Sequence, residues 1–137
     1  METSCTFRVV DFTPVEHAPE IQVGVDVGHA HMVKEYDGAI AGRSATQFSF
    51  AYDDATNTGT YVATESFQGT VDGRAGTFAF VHSATTRGGA REHEFFVIVP
   101  GSGTGELAGI TGTGELHIDE DGTHRIVLDY DVTEPAH

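Results

Sequence analysis

The sequence predicts an all-β protein, an eight-stranded antiparallel up-and-down β-barrel. Alternating or β-branched stretches recur along the chain, cut by turn residues about every 8 to 12 positions. Asp37-Gly38, Asp72-Gly73 and Asp121-Gly122 stand between such stretches, and both residue types tolerate the positive φ of tight hairpins. Eight long strands with short turns in 137 residues favour a barrel over a sandwich, because closure removes exposed edges. A barrel of about eight strands is either filled by its side chains or holds one small ligand.

The strands are expected in this order. The first covers Thr6–Phe12 and runs into a loop with Pro14 and Pro19. The second covers Ile21–Tyr36 and ends at Asp37-Gly38. The third, Ala39–Tyr52, stops at Asp53-Asp54, and the fourth, Gly59–Thr70, at Asp72-Gly73. The fifth is Arg74–Thr85, before Gly88-Gly89. The sixth, Arg91–Val99, is stopped by Pro100-Gly101. The seventh lies within Glu106–Ile118, and the eighth is Thr123–Val132. No linker or low-complexity tract divides the chain, so residues 1–137 read as one domain.

Composition narrows the function. There are 21 acidic residues against 7 basic ones, a formal charge of -14. Nucleic acid and anionic lipid both demand a basic patch, so neither is expected as a partner. Cys5 is the only cysteine, which excludes an internal disulfide and a cysteine-based zinc site. The start, METSCTFRVVDF, has neither a basic region nor an apolar core of signal-peptide type. No apolar run approaches the roughly 20 residues of a membrane helix, and a cytoplasmic location is expected.

The stretch PGSGTGELAGITGTGEL, residues 100–116, holds six glycines and invites a phosphate-loop reading. The context fails. A Walker loop needs Lys-Ser/Thr after its last glycine, whereas Glu106 follows Gly105. The third glycine of a dinucleotide fingerprint is misplaced, no helix pattern follows, and Glu106 and Glu115 would repel phosphate. The pentapeptide GTGEL occurs twice, at 103–107 and 112–116. Glycines of this kind mark bulges, bends or close backbone approach in a curved wall, with Leu107, Ile110 and Leu116 as core anchors.

The strand period of two singles out candidate site residues. In TYVATESFQG, Tyr61, Ala63, Glu65 and Phe67 share one face. A carboxylate between two aromatics belongs in a lumen, as a general acid or base or as a buried partner of Arg74 or Arg43. In GTFAFVHS, Phe78, Phe80 and His82 share a face. His82 is then either a satisfied core residue or the second half of an acid/base pair with Glu65. Ile126, Leu128, Tyr130 and Val132 line a core face; Tyr130 either packs or donates to a bound carbonyl. Arg74 either holds a ligand carboxylate or pairs with a neighbouring acid. No nucleophile elbow or Cys/His pair supports covalent catalysis.

One metal alternative arises. His29, His31 and Glu35 alternate on one face of the second strand, together with Val23, Val25, Val27 and Val33. The pattern resembles the first cupin motif, although Gly24 is one residue too close to His29. The second motif is missing: Pro100-Gly101-Ser102-Gly103 lacks both the spacing and the histidine.

The glycine run also resembles the signature of a bacterial family, domain of unknown function 3224. VKEYDGAIAG is similar to that family's K-x-F/Y-x-G-x-x-x-G hairpin. ATESFQGTVDGRAGTFAFVHS is similar to its E-x-x-x-G-x-x-x-GR-x-G-x-F-x-x-x-H block, and HRIVLDYDV to its last strand. Two departures are Phe12 in place of an expected Trp and Ser66 in place of an expected basic residue. The resemblance implies an allene oxide cyclase-like (calycin-like) barrel with a small-molecule cavity, in a homo-oligomer. On that footing the expected function is a cofactor-free isomerase or cyclase acting on an apolar or aromatic intermediate. Glu65 and His82 would serve as proton donor or acceptor, Tyr61 or Tyr130 as a hydrogen-bond donor in the reaction, and Phe67, Phe78, Phe80, Tyr130 and Arg74 would contact the ligand. A non-catalytic binding barrel and a cupin-like metal enzyme are the alternatives.

Overall fold

The computed structural model describes residues 1–17 and 19–133. Eight strands follow one another: β1 (Glu2–Val15), β2 (Asp26–Gly38), β3 (Ile40–Asp53), β4 (Thr58–Val71), β5 (Arg74–Arg87), β6 (Ala90–Ile98), β7 (Ile110–Ile118) and β8 (His124–Val132). Each is antiparallel to its neighbours in sequence, and β1 pairs with β8 to close the ring. Among the described residues the one helical piece is the 3₁₀ turn Gly105–Leu107, and no helix is long and apolar enough to cross a membrane.

The expected strands form, with three differences. β1 runs on through Pro14, a residue expected in the following loop. β8 pairs only with Glu2–Phe7, so Pro14 sits where β1 has no partner on that side. A missing N–H costs nothing at such an edge. β2 starts at Asp26 rather than Ile21, because Asp26 already faces Tyr52 near the end of β3 and no strand remains to pair with residues 21–25. The stretch read as one seventh strand splits into the 3₁₀ turn and β7. The two copies of GTGEL therefore take different backbones.

Two bulges decide which side chains point inward. In β1, Val9 pairs with Lys34 and Asp11 with Val33, leaving Val10 extra. The slip turns Phe12, instead of Asp11, into the lumen beside Val9. In β6, Glu92 pairs with Thr85 and Phe95 with Ser83, so β6 carries one extra residue, and His93 takes φ 54. Arg91 and Phe96 thereby both face inward despite their odd separation.

The ring is uneven. β6 and β7 pair only through Val97–Thr113 and Ile98–Gly112. Beyond those pairs, towards the β5–β6 turn, a side cavity of about 250 Å³ opens in the wall and reaches His82. The opposite end is sealed by the glycine run. Thr104 donates its N–H to the Thr77 carbonyl (2.8 Å), and Ser102 Oγ accepts from the Ala79 N–H (2.9 Å). Docked on β5 in this way, the segment drives Leu107 into the core, fully buried beside Ile98, Ile110 and Leu128. It is a plug, which answers the phosphate-loop question.

The plug needs close backbone approach. A Cβ on Gly76 would lie 2.1 Å from the Thr104 carbonyl oxygen. Gly76→Ala is expected to lower the unfolding free energy by about 2 kcal/mol, the usual cost of overpacking against an atom that cannot swing away. Gly89→Ala, with open space around it, is expected to stay within about 0.5 kcal/mol of wild type. Urea melts of the two variants measure the difference.

Candidate functional site

The register brings β2, β3, β4 and β5 to one level of the lumen. Glu65 stands opposite Thr46 on one side and Phe80 on the other. Tyr61, Ala63, Glu65 and Phe67 face inward as the strand period predicts, and so do Phe78, Phe80 and His82. Below Glu65 the barrel is dry. Phe67 packs on Phe78 with ring centroids 5.2 Å apart, and Tyr36 meets Phe67 edge-on at 5.7 Å. Above Glu65 a cavity of about 420 Å³ opens towards the β3–β4 and β5–β6 turns.

Glu65 is 1% exposed, yet every side of its carboxylate is occupied. Oε2 accepts from Lys34 Nζ (2.8 Å) and from His82 Nε2 (2.5 Å). Oε1 accepts from Ser44 Oγ (2.7 Å) and from the Tyr36 hydroxyl. Two oxygens offer about four acceptor sites, and four donors fill them. Burial pushes the Glu65 pKa up, but the His82 hydrogen bond and the Lys34 charge outweigh it and hold the group at about 2. The carboxylate is therefore ionised at neutral pH.

The line of contacts continues to the cavity. Glu65 is an acceptor only, so His82 carries its proton on Nε2, and Nδ1 accepts from the Tyr61 hydroxyl (2.9 Å). The Tyr61 oxygen in turn accepts from Arg91 (2.9 Å), whose Nε is paired with Glu94 (2.8 Å). Burial lowers the His82 pKa against the raising effect of Glu65, which keeps the ring neutral. Burial likewise raises Tyr61, with Arg91 opposing, so Tyr61 remains a phenol. Lys34, Tyr61, His82 and Arg91 reach the cavity; Glu65 lies just beneath them. Phe12, Met32, Phe48, Phe50, Leu116 and Ile118 supply its apolar wall.

Other expected site residues are placed elsewhere. Phe67, Phe78 and Phe80 are at most 3% exposed in the packed closed half and line no part of the cavity, because facing side chains fill that end completely. Tyr130 also belongs to this core, its hydroxyl donating to Asp72 Oδ2 (2.5 Å). Arg74 stands at the β4–β5 turn, at the same closed end. The lumen partners of Glu65 are Lys34 and His82 rather than Arg74 or Arg43. His29, His31 and Glu35 do share a face, but it is the outer one; Glu35 is bound to Arg8 at 2.5 Å. Among the described residues no group of three or more His, Cys, Asp or Glu side chains could hold a metal ion. Of the two departures noted in the sequence, Phe12 lines the cavity while Ser66 points outward.

Four site residues escaped the sequence reading. Lys34 and Tyr36 fell only within the K-x-F/Y-x-G hairpin pattern, which gives them no role, and Ser44 and Arg91 carried no motif, although Lys34 is the only lysine of the chain. The usable signal was parity: Ala30, Met32, Lys34 and Tyr36 alternate with the Val/His face, and Tyr36 and Met32 are the bulkier pair.

Both titrating groups destabilise the fold on acidification. The native state refuses a proton at His82 that the unfolded chain takes up below about pH 6.5, so stability falls as pH drops from there. Glu65 adds a second loss as pH falls from about 4.5 towards 2, worth on the order of 3 kcal/mol when complete. Thermal melts between pH 7.5 and 3 are expected to show two stages. His82→Gln is expected to reduce the upper stage, leaving the share of His124, whose pKa is also lowered by burial.

A family model described as "Protein of unknown function (DUF3224)" matches residues 3–130. The chain is also similar to the crystal structure of a protein of unknown function from the DUF3224 family of Shewanella oneidensis MR-1. The identity is 26%, the TM-score is 0.84, and the match covers 98% of each chain. No protein of curated function matches. With the family pattern running through nearly every strand of the ring, the chain belongs to the DUF3224 family.

Proposed function

We propose that this protein binds an apolar or aromatic small molecule in its lumen and acts on it as a cofactor-free isomerase or cyclase, in the manner of an allene oxide cyclase-like barrel. The observation that carries the reading is the unbroken hydrogen-bonded line from the cavity floor to a buried carboxylate: Tyr61, His82, Glu65. A polar line under an otherwise apolar pocket is the usual build of a small-molecule site.

The chemistry is a proton relay. Tyr61 oxygen accepts a proton from a ligand carbon as its own proton passes to His82 Nδ1, and the C–H electron pair stays on the ligand as a delocalised carbanion. The imidazolium so formed is stabilised by the Glu65 carboxylate, which acts as a positioning residue because it does not reach the cavity. Return of the proton through Tyr61 to a second ligand atom completes an isomerisation, with no net proton gained or lost. Such acid–base help contributes typically 10²–10⁴-fold, and confinement of a reactive intermediate adds orientation.

A second reading, a carrier without turnover, has one observation in its favour. Both His82 ring nitrogens are already engaged within the protein, so His82 offers the cavity no free lone pair.

Native mass spectrometry of protein purified from its own host tests both readings. A retained organic mass is expected. In deuterated water that ligand is expected to gain deuterium with wild-type protein, and about 10²-fold more slowly with Tyr61→Phe or His82→Gln. A retained ligand that never exchanges would favour the carrier. Binding and exchange absent altogether would contradict the lumen reading.

A further inference from the structure

We infer that the lumen ligand is a ring-bearing monoanion, held by a carboxylate or enolate oxygen against Lys34 and Arg91. This rests on the lumen-binding reading above and specifies what binds. Acids outnumber bases 21 to 7 in the chain, yet the cavity lining includes Lys34 and Arg91 and no Asp or Glu. The only lysine of the chain, 4% exposed, is spent there.

The donor inventory points the same way. Tyr61 and His82 use their polar atoms on each other, on Arg91 and on Glu65. Lys34 gives one of its three N–H groups to Glu65, and the other two have no hydrogen-bond partner among the described residues. Arg91 binds Glu94 through Nε and Tyr61 through one terminal nitrogen; its other terminal nitrogen is likewise unspent. Thr86 and His124 also line the cavity and make no side-chain hydrogen bond among the described residues, but the charged groups left for a ligand head are the cationic donors Lys34 and Arg91. They fit an acceptor, best a charged one, since charge-assisted hydrogen bonds are roughly twice as strong as neutral ones. Each cation already has one carboxylate partner, Glu65 for Lys34 and Glu94 for Arg91, so the preference rests on the N–H groups that these pairs leave free.

The walls specify the rest. Phe48 stacks on Tyr61 at 5.3 Å and packs on Phe50 at 5.7 Å, leaving flat apolar faces above the donors. A cavity of about 420 Å³ lies in the usual range of small-molecule sites and has room for a bicyclic acid.

Three probes with one ring system make the test: 2-naphthoate, 2-naphthamide and 2-naphthylmethylammonium, titrated calorimetrically into the full chain near pH 7. Naphthoate is expected to bind at least tenfold more tightly than the amide, with the ammonium weakest. The net charge of -14 repels anions overall, so non-specific attraction cannot produce that order. Arg91→Met is expected to move the naphthoate-to-naphthamide ratio towards one. Amide binding equal to or tighter than naphthoate would overturn the anion inference and leave the lumen reading standing. No binding of any probe up to about 1 mM would overturn both. The wild-type ratio decides even if the variant folds poorly.

Discussion

A single buried carboxylate organises this barrel. Taking Glu65 and Lys34 out of water costs several kcal/mol per ion, which their attraction offsets only with good geometry and every remaining site satisfied. Here both conditions are met: Lys34, His82, Ser44 and Tyr36 surround one carboxylate, and no buried side-chain polar atom among the described residues is left without a partner. The four donors come from β2, β3 and β5, and the acceptor from β4. A one-residue slip in any of these strands would turn its contribution to solvent and strand the others. The ion pair thus fixes register as well as charge.

The same level divides the lumen. On one side, rings and branched chains pack without space, and the glycine run seals the end with Leu107. On the other, the strands carry Phe48, Phe50 and Tyr61 around an open cavity. The open half depends on features a filled barrel would not need. The β1 bulge brings Phe12 to the mouth, and the β6 bulge brings Arg91 over Tyr61. Bulges concentrate beside active sites because they re-aim a side chain without ending the strand.

Much of this was legible in the chain. Asp72-Gly73 forms the β4–β5 turn with φ 49 and 83, the left-handed pair that Asp-Gly favours. The inward faces of β4 and β5 followed from alternation alone, and with them Tyr61, Glu65 and His82. What was not legible has physical reasons. β2 presents two plausible faces, and the valine-rich one points outward; Val27 is 43% exposed. Ion pairs across strands depend on register, which a single strand does not encode, so Lys34 and Ser44 stayed hidden. Arg91 lies across a bulge whose marker, a left-handed His93, has no sequence signature. Phe67, Phe78 and Phe80 share the expected inward face and lie below Glu65, in the packed half of the lumen.

The central claim is that Glu65 stays ionised inside the barrel, held by Lys34 and His82. The most direct measurement is the side-chain carboxyl ¹³C shift of Glu65, followed by NMR from pH 7 to 2.5 and assigned against Glu65→Gln. The account predicts a carboxylate shift that persists well below pH 4, with titration only near pH 2 or on unfolding. A midpoint at or above about 4.5 would contradict it: Lys34 would then lack its counter-ion, and the floor of the cavity would be organised by something else.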